Sequence, residues 1–133
     1  TMKLSFSCSS PGKARWKQLS QQHCGYCVPC LIRRAAMHKA FGDDGTVYTE
    51  TSIYEMQNKN AEGMGIQLRS FQYAIDKIKQ DRNRALFYIH KPGPLPQDDE
   101  YLRELADTYI RGLLEVDAFI QDNLAQEDEN NDL

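Results

Sequence analysis

Apolar residues recur along this chain at three- and four-residue steps, most regularly in its second half. Leu68, Phe71, Ile75 and Ile78 fall on one stripe of a helix near residues 65–80. Ala85, Leu86 and Ile89 predict a further short helix, ended by Lys91-Pro92-Gly93-Pro94-Leu95-Pro96. Asp98 and Asp99 suit the N-terminal cap of a long amphipathic helix from about 98 to 124. Leu102, Leu105, Tyr109, Leu113, Val116, Ile120 and Leu124 form its stripe, which reads most simply as core.

The first half is less regular. Lys3 to Ser7 alternates, as a short strand ending at Cys8 would, and Ser9-Ser10-Pro11-Gly12 reads as a turn. Residues 13–22 predict a helix that buries Trp16 and Leu19. A second helix, starting at Val28 or Leu31, runs through Ala40 and stops at Gly42, with Arg33, Arg34 and Lys39 on its polar face. Residues 43–62 are mixed: Val47-Tyr48-Thr49 has strand character, and Asn58 to Gly65 suggests a mobile loop.

All four cysteines lie within the first thirty residues, spaced Cys8-x15-Cys24-x2-Cys27-x2-Cys30. Two Cys-x-x-Cys units sharing Cys27 force three sulfurs towards one point, and Cys8 supplies a fourth. Four thiolates fill the tetrahedral shell of a structural zinc ion with nothing left over, so the expected cofactor is one structural zinc per chain. Iron–sulfur ligation is the second reading, although the ferredoxin run should continue with x3-Cys-Pro and Arg34 stands there instead. Two disulfides are the third. No apolar signal segment opens the chain, which points to a reducing, cytoplasmic setting and against disulfides. Gly25 gives the turn after Cys24 its backbone freedom, and Pro29 stiffens the step to Cys30. His23 is a substitute ligand for Cys8, but with four thiols present it is expected as a partly exposed loop histidine.

Charge is divided unevenly. Residues 1–40 hold Lys3, Lys13, Arg15, Lys17, Arg33, Arg34 and Lys39 and no acidic residue, whereas the other 93 residues carry a net charge of −10. A four-thiolate zinc site has net charge −2, so part of the basic excess offsets the sulfurs. The rest is open to phosphate, with Lys13, Arg33 and Arg34 as the candidate phosphate or nucleotide contacts. With a pI near 5.6 and no long basic stripe, nucleic acid is the lesser candidate partner.

At 133 residues, 41% hydrophobic and 26% charged, the chain is one ordinary domain at most. No apolar stretch approaches the roughly eighteen residues of a membrane span, so no membrane partner is expected. Residues 127–133 read as a solvated acidic tail. The expected fold is mainly α, with a zinc knuckle at the N-terminal end packed on a small helical bundle. Its segments are 1–44 for the knuckle and flanking helices, 45–126 for a helical extension, and 127–133 for the tail.

Catalytic patterns are thin, and no catalytic residue is assigned. Ser9-Ser10-Pro11-Gly12-Lys13-Ala14 lacks the first glycine of a phosphate loop, and Ala14 stands where a magnesium ligand belongs. No Gly-x-Ser-x-Gly, His-Glu-x-x-His or deaminase His-x-Glu pattern occurs. Asp98-Asp99-Glu100 is explained by capping, and His38 and His90 fall on predicted helices as structural residues. A zinc with four sulfur ligands has no open position for water.

Ser7-Cys8 followed by Cys24-Gly25-x-Cys27-x-x-Cys30-x-x-Arg33 resembles the zinc-binding C-terminal segment of the 7-cyano-7-deazaguanine synthase family. Ala40-Phe41-Gly42-Asp43-Asp44 loosely resembles how that family continues. The resemblance implies a structural zinc on Cys8, Cys24, Cys27 and Cys30. It also implies partnership with an ATP-binding pyrophosphatase-loop domain, in enzymes that make the nitrile of the queuosine route from a carboxylate with ATP and ammonia. It covers only residues 4–44. The family's Ser-Gly-Gly-x-Asp-Ser loop is absent, the gap from Cys8 to Cys24 is longer than usual, and about ninety residues follow the motif. The Gly93-Pro94-Leu95-Pro96 and Tyr109-Ile110-Arg111-Gly112 segments look like divergent relatives, some from anti-phage defence clusters.

Two functions are therefore expected. In one, the chain is the zinc-stabilised C-terminal part of a deazaguanine synthase-like protein, structural rather than catalytic by itself. In the other, it is a stand-alone zinc-binding adaptor for a partner protein or nucleic acid.

Overall fold

The computed structural model describes residues 5–42, 45–58 and 63–131, the last four of these by backbone alone. Six helices follow in order: α1 Lys13–Trp16, α2 Val28–Phe41, α3 Ile53–Asn58, α4 Gly65–Gln80, α5 Arg84–Tyr88 and α6 Asp99–Asn131. The protein is mainly helical, with α6 as the spine: α2, α3, α4 and α5 all pack on it. The described residues form no strand, only a parallel bridge between His23 and Tyr48.

The regular second half forms the helices its periodicity predicts, but Leu102, Leu105, Tyr109 and Leu124 of the expected long-helix stripe are only partly buried, and Leu86 is exposed. Leu68, Ile75 and Ile78 of α4 are buried, with Phe71 partly so. From α6, Ala106, Ile110, Leu113, Val116, Phe119 and Ile120 enter the core. Asp98 caps α6, its Oδ1 accepting the amides of Glu100 and Tyr101 at 3.0 Å each. The helix runs past the expected end near 124 to Asn131. Glu127 is accordingly not in a solvated tail: its carboxylate accepts the amides of Ile53 and Tyr54 and the hydroxyl of Ser52 at the start of α3. Residues 132 and 133 lie outside the described residues.

The first half departs further from expectation. α1 is one turn, not a helix over 13–22, and Gln18 at φ 57° ends it. Trp16 is 87% exposed and Leu19 45%, while Ala14 is the buried residue of the turn. The reason is geometric: a helix over 13–22 would carry the chain about 15 Å along its axis, yet Cys24 has to return beside Cys8. Of the expected strand at 3–7, Lys3 and Leu4 lie outside the described residues, and residues 5–7 pair with no neighbouring strand. Ser5 is instead held by Arg33, and Phe6 lies on His23.

α2 begins at Val28 with Pro29 in its first turn and ends at Gly42, which at φ 75° caps it through a 2.9 Å bond from its amide to the His38 carbonyl. The expected strand at 47–49 is an extended segment: Thr49 and Glu50 amides donate to the His23 and Cys24 carbonyls at 2.9 and 3.1 Å. α3 has no counterpart in the expected elements. In the expected loop from Asn58 to Gly65, residues 59–62 lie outside the described residues, as do Asp43 and Asp44. One contiguous core joins the cysteines to the helices, running from Cys24, Cys27, Cys30 and Leu31 to Ile53, Met56, Leu68 and Ile120.

Candidate metal centre

Three short stretches bring the four sulfurs together. Cys8 ends the N-terminal segment, Cys24 lies on the turn paired with Tyr48–Glu50, and Cys27 and Cys30 open α2. The four Sγ atoms all lie within 4.8 Å of one another. Cys24 Sγ to Cys30 Sγ measures 3.9 Å and Cys27 Sγ to Cys8 Sγ 4.0 Å. A tetrahedral ion with sulfurs at ~2.3 Å separates them by about 3.8 Å, so the cage fits one such ion. A disulfide needs about 2.05 Å, and all four cysteines are free thiols. Cys24, Cys27 and Cys30 are fully buried, and Cys8 is partly so.

Backbone amides surround the sulfurs. Ser10 and Cys24 amides donate to Cys8 Sγ at 3.3 Å each, and the Cys27 amide donates to Cys24 Sγ at 3.4 Å. Such donors stabilise thiolate over thiol. Gly25 makes the turn workable for two reasons. Its φ is 90°, and a Cβ there would lie 2.0 Å from the Glu50 carbonyl oxygen.

Crowding four thiols splits their acidities. The thiol of Cys30, donating to Cys24, with help from the Tyr26 and Cys27 amides, brings Cys24 down to about 5 against the cost of burial. The same bond and burial push Cys30 up, and burial pushes Cys8 up against its two amide donors. Tyr26 is raised to about 12, first by burial and then by the nearby thiolates. A site that already favours one thiolate and shares its neighbours' protons is suited to exchanging those protons for a cation.

His23 is buried rather than partly exposed, 6% accessible, with its ring 4.6 Å from Phe6 and 5.8 Å from Tyr48. Its Nδ1 lies 3.7 Å from Cys30 Sγ, so it stands beside the sulfur cage while Cys8 fills the fourth place. Its burial had no local sequence signal, because Tyr48 is far away in the chain.

The three residues expected to face phosphate do not share one cavity. Lys13 lines an open cleft with Ser9, Ser10, Arg15 and Trp16. Arg33 donates to Ser5 Oγ at 2.7 Å and to Thr46 Oγ1 at 3.4 Å, tying two segments to α2. Arg34 is not on a polar face. It is buried, donating to the carbonyls of Gly25 at 3.1 Å and Thr51 at 2.6 Å. His38 joins α2 to α6, with Nε2 2.8 Å from Asp122 Oδ2, and His90 bonds back to the Leu86 carbonyl at 2.6 Å.

No protein-family profile matches this chain, and no curated protein or solved structure is similar to it at a significant level. Among the described residues, no helix is long and apolar enough to cross a membrane.

Proposed function

We propose that Cys8, Cys24, Cys27 and Cys30 bind one zinc ion per chain as a structural centre. In this reading the chain is the zinc-stabilised part of a 7-cyano-7-deazaguanine synthase-like protein and works with an ATP-binding domain rather than alone. The observation that carries it is the four-sulfur cage, whose spacing suits a single tetrahedral ion. The ion would tie the N-terminal segment, the Gly25 turn and the start of α2 into the helical core. The family assignment is supported by Ser7-Cys8, Cys24-Gly25-x-Cys27-x-x-Cys30 and Arg33, which holds Ser5 and Thr46 around the site.

Native mass spectrometry of the untagged chain, compared with its denatured mass, tests the metal. One zinc per chain with all thiols reduced is the expected result. An iron–sulfur increment, or a metal-free chain lighter by four hydrogens, overturns it. The family assignment is tested in the gene: an upstream reading frame in register, encoding Ser-Gly-Gly-x-Asp-Ser, supports it.

The stand-alone adaptor is favoured by a different observation, the exposed apolar side chains Phe6, Trp16 and Leu19 at the N-terminal end. A start codon at Met2 and zinc-dependent capture of a defined partner would support that reading over the first.

A further inference from the structure

Trp16 is the chain's single tryptophan, and it is 87% exposed. Its turn is nonetheless fixed. Ala14 beneath it is fully buried, its carbonyl accepts the amides of Lys17 and Leu19 at 3.0 Å each, and the Lys17 ammonium is ion-paired with Glu50. The turn is also tied to the sulfur cage through the Ser10 amide on Cys8 Sγ. The indole is therefore presented by a rigid support.

It borders a cleft of about 590 Å³, lined by Ser9, Ser10, Pro11, Gly12, Lys13 and Arg15. Ligand sites of a few hundred Å³ upward accept a nucleotide-sized group. With Lys17 engaged by Glu50, Lys13 and Arg15 are the cations left facing this space, and no carboxylate of the described residues pairs with either. Two further hollows continue it: one of about 360 Å³ shares Pro11, Gly12 and Arg15, and one of about 240 Å³ shares Lys13 and Trp16. The concavity thus continues beyond the Trp16 cleft through lining residues it shares with each hollow.

We propose that this groove binds single-stranded nucleic acid, a base stacking on Trp16 while Lys13 and Arg15 hold the flanking phosphates. An exposed aromatic face beside unpaired cations is the arrangement that tracks a strand without reading its sequence. Residues 1–40 hold no acidic residue, and Glu50, the carboxylate that lines the smaller hollow, is ion-paired with Lys17, which leaves the positive charge of Lys13 and Arg15 to complement phosphate. An acidic peptide would satisfy the cations but leave the indole plane unused. A lone nucleotide would leave the two side hollows unused. The inference is independent of the family reading given above.

The single tryptophan makes the test local. Metal content is measured on every sample, so that loss of the centre is distinguished from loss of the groove. The full chain is titrated with oligothymidylate of about twelve nucleotides, following Trp16 fluorescence. Quenching is expected, with affinity falling about sevenfold between ~50 and ~200 mM salt for two phosphate contacts on a single strand. In Lys13→Ala/Arg15→Ala the salt dependence should nearly vanish. Trp16→Ala, read by anisotropy of a labelled strand, should weaken binding on the order of tenfold or more. All three residues are on the surface turn, and circular dichroism of each variant checks the fold. Absence of quenching overturns the proposal. So does equal affinity for thymidine monophosphate or for polyglutamate, or an unchanged salt slope in the double variant.

Discussion

The Arg34 guanidinium lies 4.9 Å from the centroid of the Phe119 ring, across the seam where α2 meets α6. Tyr48 covers it from the loop side at 5.3 Å, and its nitrogens reach the carbonyls of Gly25 and Thr51. One side chain thus connects the cysteine turn, the segment before α3 and the longest helix. Its planar fork suits two acceptors at once, which a lysine cannot match.

Replacing Arg34 with Met should therefore destabilise the whole fold. The stem volume is kept, but two carbonyls lose their donors, each at a cost of about 1–3 kcal/mol. We expect a loss of roughly 3 kcal/mol by urea unfolding, with Arg34→Lys recovering only part of it. A variant as stable as the parent would show that water replaces these donors freely.

Cys27→Ser tests whether the metal centre belongs to the core or hangs beside it. Cys27 is fully buried and shares one apolar cluster with Leu31, Ile53 and Met56. Because metal binding contributes folding free energy, the variant should lose the proposed zinc and, with it, helical signal and melting temperature together. Unchanged melting with zinc absent would make the centre a passenger of the fold.

The parts legible in the sequence were those set by short-range spacing. Leu68, Ile75 and Ile78 repeat at helical steps, and Cys24, Cys27 and Cys30 converge over seven residues, so α4 and most of the sulfur cage follow from local pattern. What failed depended on distant partners. Periodicity treats apolar as buried and so predicts Trp16 in the core, whereas the return of Cys24 to Cys8 ends α1 after one turn. Helical spacing places Arg34 on a polar face because its acceptors, the Gly25 and Thr51 carbonyls, lie elsewhere in the chain. The start of α3 carried a readable signal in Ser52-Ile53-Tyr54-Glu55, a capping-box spacing. Ser52 Oγ does accept the Glu55 amide at 3.0 Å, but the second cap, Glu127, comes from 75 residues away.

Tyr26 offers a pH test with a defined sign. Its phenol is raised from 10 to about 12, first by burial and then by the thiolates of Cys24, Cys8 and Cys27. Above pH 10 the unfolded chain releases this proton while the folded chain keeps it, so stability falls as pH rises towards 12. The loss from this group should be on the order of 2 kcal/mol at the upper end. Tyr26→Phe removes it, so the difference in urea midpoint between parent and variant should shift in the variant's favour between pH 10 and 12. A difference independent of pH there would mean that the phenol titrates as it does in water.

Glu127 makes the last turns of α6 part of the fold. One of its carboxylate oxygens accepts the Ile53 amide at 3.2 Å, and the other accepts the Tyr54 amide at 3.0 Å and the Ser52 hydroxyl at 2.9 Å. Two of the four amides that a helix start leaves without partners are thereby satisfied, and a negative charge sits where the α3 dipole favours it. Glu127→Ala should cost about 1 kcal/mol and raise amide exchange across Ile53–Asn58 more than in α4. Glu127→Gln keeps acceptors without the charge and should fall between the two. Exchange in α3 that ignores both changes would show that Ser52 alone caps the helix.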